Sequence, residues 1–139
     1  DENGSLKDWW TESDYAAFKE RTDKVVQQFD GLDFAGGKIN GKLTVSENVA
    51  DLGGLACALE AAKKDADFSA KDYFTNFATI WRMKAREECL QLLISIDVHA
   101  PGKLRTNVQV ANFYDFFTTF EVKEGDGMWR APEDRVIIW

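Results

Sequence analysis

Histidine is almost missing from this chain: among 139 residues, His99 alone carries an imidazole. Cysteine is nearly as scarce, and Cys57 and Cys89 lack the C-x-x-C spacing of a metal knuckle or a redox dithiol. Both sit in apolar, helix-like stretches and read as small core hydrophobes rather than a disulfide. No apolar run approaches the roughly 18 residues that a membrane span requires, so no segment is expected to cross a bilayer. Lysine and arginine are outnumbered by aspartate and glutamate, 17 to 24, and the two signs are interspersed. There is no basic face for a phosphate backbone, which excludes a nucleic-acid partner. Repeats, low-complexity tracts, internal linkers and a secretory leader are also missing. The chain opens on Asp1 without an initiator methionine, which reads as a cut point and leaves any leader of a parent protein open.

What is present is enough for one domain over residues 1–139, with 45% hydrophobic residues to build a core. Residues 1–10 form a turn-rich lead-in, with a turn at Asn3-Gly4 and Trp9-Trp10 as anchors. Ser13 is placed to cap a helix reaching Phe29, with Tyr15, Phe18, Val25, Val26 and Phe29 on its apolar face. Glycines 31, 36, 37 and 41 then indicate a loop or short hairpin, turning at Asn40-Gly41. A second helix is expected from Thr44 to about Lys64. Ser69 and Asp72 begin a capped stretch that runs to Ile96 as two helices broken near Ala85. Pro101-Gly102 makes residues 97–105 a loop, and Asn112–Phe120 is a further helix. The class is all-α. The aromatics Trp9, Trp10, Phe74, Phe77, Trp81, Phe113, Phe116, Phe117 and Trp139 are assigned to the core.

The second helix carries T-V-S-E-N-V-A-D-L-G-G, residues 44–54. Glu47 and Asp51, four apart, share a helix face and repel by a few tenths of a kcal/mol. Gly53 and Gly54 each cost roughly 0.5–1 kcal/mol relative to alanine in a helix. A capping box from Thr44 to Glu47 accounts for Glu47 but not for Asp51 or the glycines. The alternative is a metal or catalytic site. One carboxylate completes a tetrahedral zinc centre, and an acid one turn on accepts the N–H of a zinc-bound imidazole. Such a site needs two histidines, so within these residues it is incomplete.

Five blocks carry a resemblance, in order along the chain. E-N-V-A-D-L-G-G is similar to the E-N-x-A-D-x-G-G motif of the neprilysin-type M13 zinc metallopeptidases. Residues 1–10 resemble the segment that follows that family's H-E-x-x-H helix. Residues 74–88 resemble its F-x-x-F-A-x-x-W stretch, residues 97–120 its D-x-H-x-P-x-x-x-R block, and Trp139 its terminal tryptophan. The resemblance implies the C-terminal part of a thermolysin-like catalytic domain of the bacterial oligoendopeptidase type. It would begin roughly ten residues after H-E-x-x-H, which supplies two zinc ligands and the general base.

On that resemblance, Glu47 is the third zinc ligand and Asp51 the acid that orients a histidine of the absent motif. His99 is the donor that stabilises the oxyanion, Asp97 orients His99, and Arg105 binds a carbonyl of an oligopeptide substrate. The glycines would let the H-E-x-x-H helix approach. Trp139 is expected to pack inside the domain. The disulfide cysteines of the animal ectoenzymes have no counterpart in R-V-I-I-W or I-W-R-M-K, which points to a bacterial relative. A cytoplasmic enzyme is the expectation, with an exported or surface-held one as the alternative. The partners expected are oligopeptide substrate and the remainder of the catalytic domain. Alone, the chain is expected to be inactive and without stably bound Zn²⁺. The rival function is a non-catalytic helical binding module on the same scaffold.

Overall fold

In the computed structural model, which describes residues 1–138, helix α1 (Glu12–Phe29) starts two residues ahead of the sequence expectation. Its cap is Thr11 rather than Ser13: the Thr11 hydroxyl accepts from the Asp14 N–H at 3.1 Å, with Glu12 and Asp14 at the positive end of the helix dipole. Val25 and Phe29 are fully buried, whereas Tyr15 is exposed. Asp30 ends the helix and accepts the Gly41 N–H at 2.9 Å. Gly41 lies against the Val26 carbonyl so closely that no side chain fits there.

Between those two residues runs an antiparallel hairpin, β1 (Asp33–Phe34) and β2 (Gly37–Lys38). It turns at Ala35-Gly36, both with positive φ as a two-residue type I′ turn demands, and not at Asn40-Gly41. Asn40 instead accepts the Lys42 and Leu43 N–H groups with its side-chain oxygen.

Helix α2 (Val45–Ala62) is the axis of the domain. Its first half, through Val49 and Leu52, joins Val25, Phe29, Ile39, Val108 and Val136 in one apolar cluster. Its second half, through Leu55 and Leu59, packs with Phe74, Val110 and Phe116 in another. Helices α3 (Ala70–Ile80) and α4 (Glu87–Ile96) confirm the break near Ala85, and the Ser69 hydroxyl caps α3 by accepting from the Asp72 N–H at 3.2 Å. Helix α4 buries none of its residues fully and rests on the hairpin, with Ile94 against Gly37. Helices α5 (Gly102–Val110) and α6 (Tyr114–Phe120) follow, and a 3₁₀ turn at Pro132–Asp134 precedes the end of the described chain. The all-α class holds, with the hairpin as the only strands among the described residues.

Several expectations are corrected. Pro101-Gly102 does not keep residues 97–105 in a loop: Pro101 is the residue before α5, where its fixed φ and missing N–H cost nothing. Arg105 is therefore helical. Asn112 is outside α6 because its side chain is used to tie the tail down. Its Oδ1 accepts from Gln28 Nε2 at 2.8 Å, Val136 N at 2.9 Å and Arg130 Nη1 at 3.0 Å. Cys57 and Cys89 are free thiols on exposed helix faces, not core residues. Trp9 and Trp10 are exposed, Trp10 leaning on Phe18 at 5.0 Å between ring centres. Phe74, Phe116 and Phe117 are core as expected, Phe77 and Phe113 are half-buried beside it, and Trp139 lies outside the described residues.

Candidate functional site

Thr44 takes Glu47 out of the capping role at the start of α2. No capping box forms: the Thr44 hydroxyl makes no cap bond, donating to the Asn40 carbonyl at 3.3 Å and accepting from Asn48 Nδ2 at 3.0 Å. The Glu47 carboxylate is left facing outward, 38% exposed, with His99 Nε2 at 3.3 Å.

His99 belongs to the five-residue connection between α4 and α5 and is oriented by Asp97. One carboxylate oxygen of Asp97 accepts from both the His99 backbone N–H, at 2.9 Å, and ring Nδ1, at 2.8 Å. These two donors, the backbone one foremost, hold the Asp97 carboxyl below its ordinary value. With Nδ1–H given to Asp97, the ring donates from Nε2 only as the imidazolium. Asp97 and His99, two residues apart, are thus joined by two hydrogen bonds.

Asp51 is one turn beyond Glu47 and points to a partner the sequence did not connect with it. Arg105 Nε donates to Asp51 Oδ2 at 2.6 Å and Nη2 to Oδ1 at 2.7 Å, a two-pronged ion pair between side chains only 14% and 13% exposed. The guanidinium also lies 3.8 Å above the centre of the Trp81 ring. Trp81, placed in the core from its helical spacing, is instead half-buried beneath a cation. Its carbonyl is so close to Gly102 that a side chain there would collide with it, and this fixes the first turn of α5 and hence the reach of Arg105. Each Asp51 oxygen retains a second lone pair, so the pairing with Arg105 leaves room for an imidazole N–H. Arg105 Nη1 has no hydrogen-bond partner among the described residues.

Beside His99 and Arg105 opens a cavity of about 370 Å³, lined by Trp81, Leu90, Leu93 and Ile94 together with Asp97, His99 and Arg105. The contribution of α4 to this cavity was not legible in the sequence, where Leu90, Leu93 and Ile94 look like any core stripe. Glu47 fits a metal as one hard oxygen ligand, unencumbered by a cap and flanked by an imidazole. Among the described residues no group of three or more histidine, cysteine, aspartate or glutamate side chains is placed to hold a metal ion.

The outward Glu47 carboxylate thus lies beside an imidazole oriented by Asp97, with the Asp51–Arg105 ion pair one turn further along α2. The sequence profile of peptidase family M13 matches residues 1–136, and the chain belongs to that family. It is 50% identical over all 139 residues to the neutral endopeptidase of Lactococcus lactis subsp. lactis, and spans 22% of that protein's length. Its fold superposes on the crystal structure of PepO from Lactobacillus rhamnosis with a TM-score of 0.92 at 43% identity, covering 100% of this chain and 22% of that one. The zinc metalloprotease of Mycobacterium tuberculosis, solved with an inhibitor, superposes with a TM-score of 0.86 at 30% identity, over 100% of this chain and 24% of that structure. No helix among the described residues is long and apolar enough to cross a membrane.

Proposed function

We propose that this chain is the C-terminal portion of an M13 catalytic domain that hydrolyses oligopeptides, working with an H-E-x-x-H segment supplied from outside these residues. The observation that carries the proposal is the convergence of Glu47 and His99, which reach 3.3 Å of each other from separate elements. Glu47 and the two histidines of H-E-x-x-H would hold one Zn²⁺, which when bound polarises the scissile carbonyl and lowers the pKa of the attacking water. Asp51 keeps a lone pair on each oxygen to orient one of those histidines.

The work of this chain's own side chains follows from their placement. His99 donates Nε2–H to the carbonyl oxygen as it becomes negative, and Asp97 holds the ring in that pose. Arg105 presents Nη1 to a substrate backbone carbonyl, its other donors fixed by Asp51 so that little freedom is lost on binding. The cavity over Trp81, Leu90 and Leu93 takes an apolar side chain beside that carbonyl. A bacterial, cytoplasmic setting is supported by the likeness to the Lactococcus protein and by two exposed free thiols, which suit a reducing compartment.

His99→Ala in the complete peptidase tests the assignment. The expected result is a loss on the order of a hundredfold or more in kcat with zinc retained and little change in KM. Undiminished kcat would remove His99 from the chemistry.

A further inference from the structure

Gln109 is a polar side chain sealed inside the domain, 1% exposed, on α5 between Val108 and Val110 of the two apolar clusters. Its Nε2 donates at 2.8 Å to the main-chain carbonyl of Asn48, the residue next to Glu47. That carbonyl lies within α2, where the helical bond takes one lone pair and Gln109 takes the other. Asn48 is itself fully buried, and its Nδ2 donates to the Thr44 hydroxyl at 3.0 Å. This network does not serve stability. Asn48 Oδ1 and Gln109 Oε1 are buried with no hydrogen-bond partner among the described residues. A buried amide satisfied only in part is worse for folding than an apolar side chain of similar shape.

What the Gln109 bond supplies is a second attachment between α5 and α2. Arg105 and Gln109, four residues apart, share one face of α5, and Asn48 and Asp51, three apart, share one face of α2. The Arg105 fork holds Asp51, and Gln109 holds Asn48. A single attachment would let α2 turn about it. Two attachments a helical turn apart fix both the rotation of α2 and its slide along α5. Glu47 directly precedes the residue that Gln109 holds, and His99 lies just ahead of α5. The pinning of the two helices therefore sets the 3.3 Å approach of Glu47 and His99.

We propose that Gln109 is a positioning residue of the catalytic site: through the Asn48 carbonyl it holds the Glu47 carboxylate in register with His99. The inference rests on the peptidase role proposed above. Gln109 touches neither substrate nor metal and acts only through α2. A ligand displaced by a fraction of an ångström binds its metal less well, which is how a side chain behind the ligands influences affinity. Methionine has nearly the length of glutamine and needs no partner, and with it the Asn48 carbonyl keeps its helical bond. Gln109→Met thus removes the attachment without leaving a new orphan.

The test uses the complete peptidase unaltered and as Gln109→Met, Val110→Ala and Glu47→Gln. Zinc affinity is measured by competition with a chelator, thermal unfolding on the zinc-free protein, and kcat and KM on the loaded enzyme. Gln109→Met is expected to unfold at the same temperature or higher, yet to bind zinc about tenfold or more weakly, with kcat lowered and KM unchanged. Val110→Ala, a cavity in the same helix, lowers the unfolding temperature and leaves zinc affinity unchanged. Zinc affinity in Gln109→Met that is unchanged, or that falls no further than in Val110→Ala, would overturn the positioning role. Should Gln109→Met not fold, Gln109→Asn, with its amide one methylene short of the Asn48 carbonyl, is read against Val110→Ala in the same way. Failure of both to fold would make Gln109 structural and overturn the proposal. If Glu47→Gln leaves zinc affinity unchanged, the peptidase reading is what fails. The crystal structure of zinc-free Gln109→Met then decides the attachment: Glu47 and His99 drawn apart from 3.3 Å support it, and the pair still at that distance overturns it.

Discussion

Replacing Asp51 probes the most ordered part of the site. Its carboxylate accepts two charge-assisted bonds from Arg105, at 2.6 and 2.7 Å, in surroundings that leave each side chain less than a sixth exposed. Bonds to charged groups contribute roughly 1.5–3 kcal/mol, and the guanidinium over the Trp81 ring adds about 1 kcal/mol. Removing one partner leaves the other charge uncompensated, at a cost of about 3–5 kcal/mol for a fully buried pair. Residual exposure places Asp51→Ala at the low end, about 3 kcal/mol, with Arg105→Ala similar. The double variant should cost about 4 kcal/mol, giving a coupling of about 2 kcal/mol. Urea unfolding followed by circular dichroism at constant m reads these differences directly. Arg105→Lys keeps the charge but loses the fork and the stack, and should recover no more than about half of the coupling. A coupling below about 0.5 kcal/mol, the level of an exposed surface pair, would refute this account of how Arg105 is held.

Glycine substitutions separate what the chain packs against from what it leaves open. Gly102→Ala drives a methyl group into the Trp81 carbonyl and should lower stability by about 1–3 kcal/mol, seen as a fall in Tm. Gly54→Ala meets nothing within 4 Å and should raise stability of this chain by up to about 1 kcal/mol; a loss of activity from the same change in the complete enzyme would show another segment packed on that face. Asn112→Leu removes three donors' common acceptor and should cost about 3 kcal/mol or more, measured by unfolding. Tyr73, whose hydroxyl donates to the Leu55 carbonyl at 2.7 Å, has its phenol pushed by burial from 10.0 to about 12. Its contribution is therefore whole below the unfolded value and fades as pH rises through the folded one. Stability should decline from pH 10 to 12, and Tyr73→Phe should flatten that decline.

The parts of the fold that could be read from sequence are those set by local chemistry. Ser69 with Asp72 marks a helix start in the sequence and in the structure, and the Glu47–Asp51 spacing does place both acids on one helix face. The parts that could not be read depend on residues far apart in sequence. Thr44 looks like a capping residue until Asn40 and Asn48 claim its hydroxyl. Asp51 and Arg105 meet only because α2 and α5 pack side by side, and no local pattern records that contact. Trp81 has the spacing of a core residue and lies under a cation instead, while Cys57 and Cys89 have apolar neighbours in sequence but face outward. Periodicity reports that a helix has an apolar face; it does not report which residues at the edge of that face are covered.

The central claim is that Glu47 is a metal ligand, and zinc content measures it most directly. In the complete protein, metal analysis should find about one zinc per chain, falling to a small fraction with Glu47→Gln and with peptidase activity lost in parallel. Zinc and activity that both survive that substitution would contradict the assignment and with it the catalytic reading of the site.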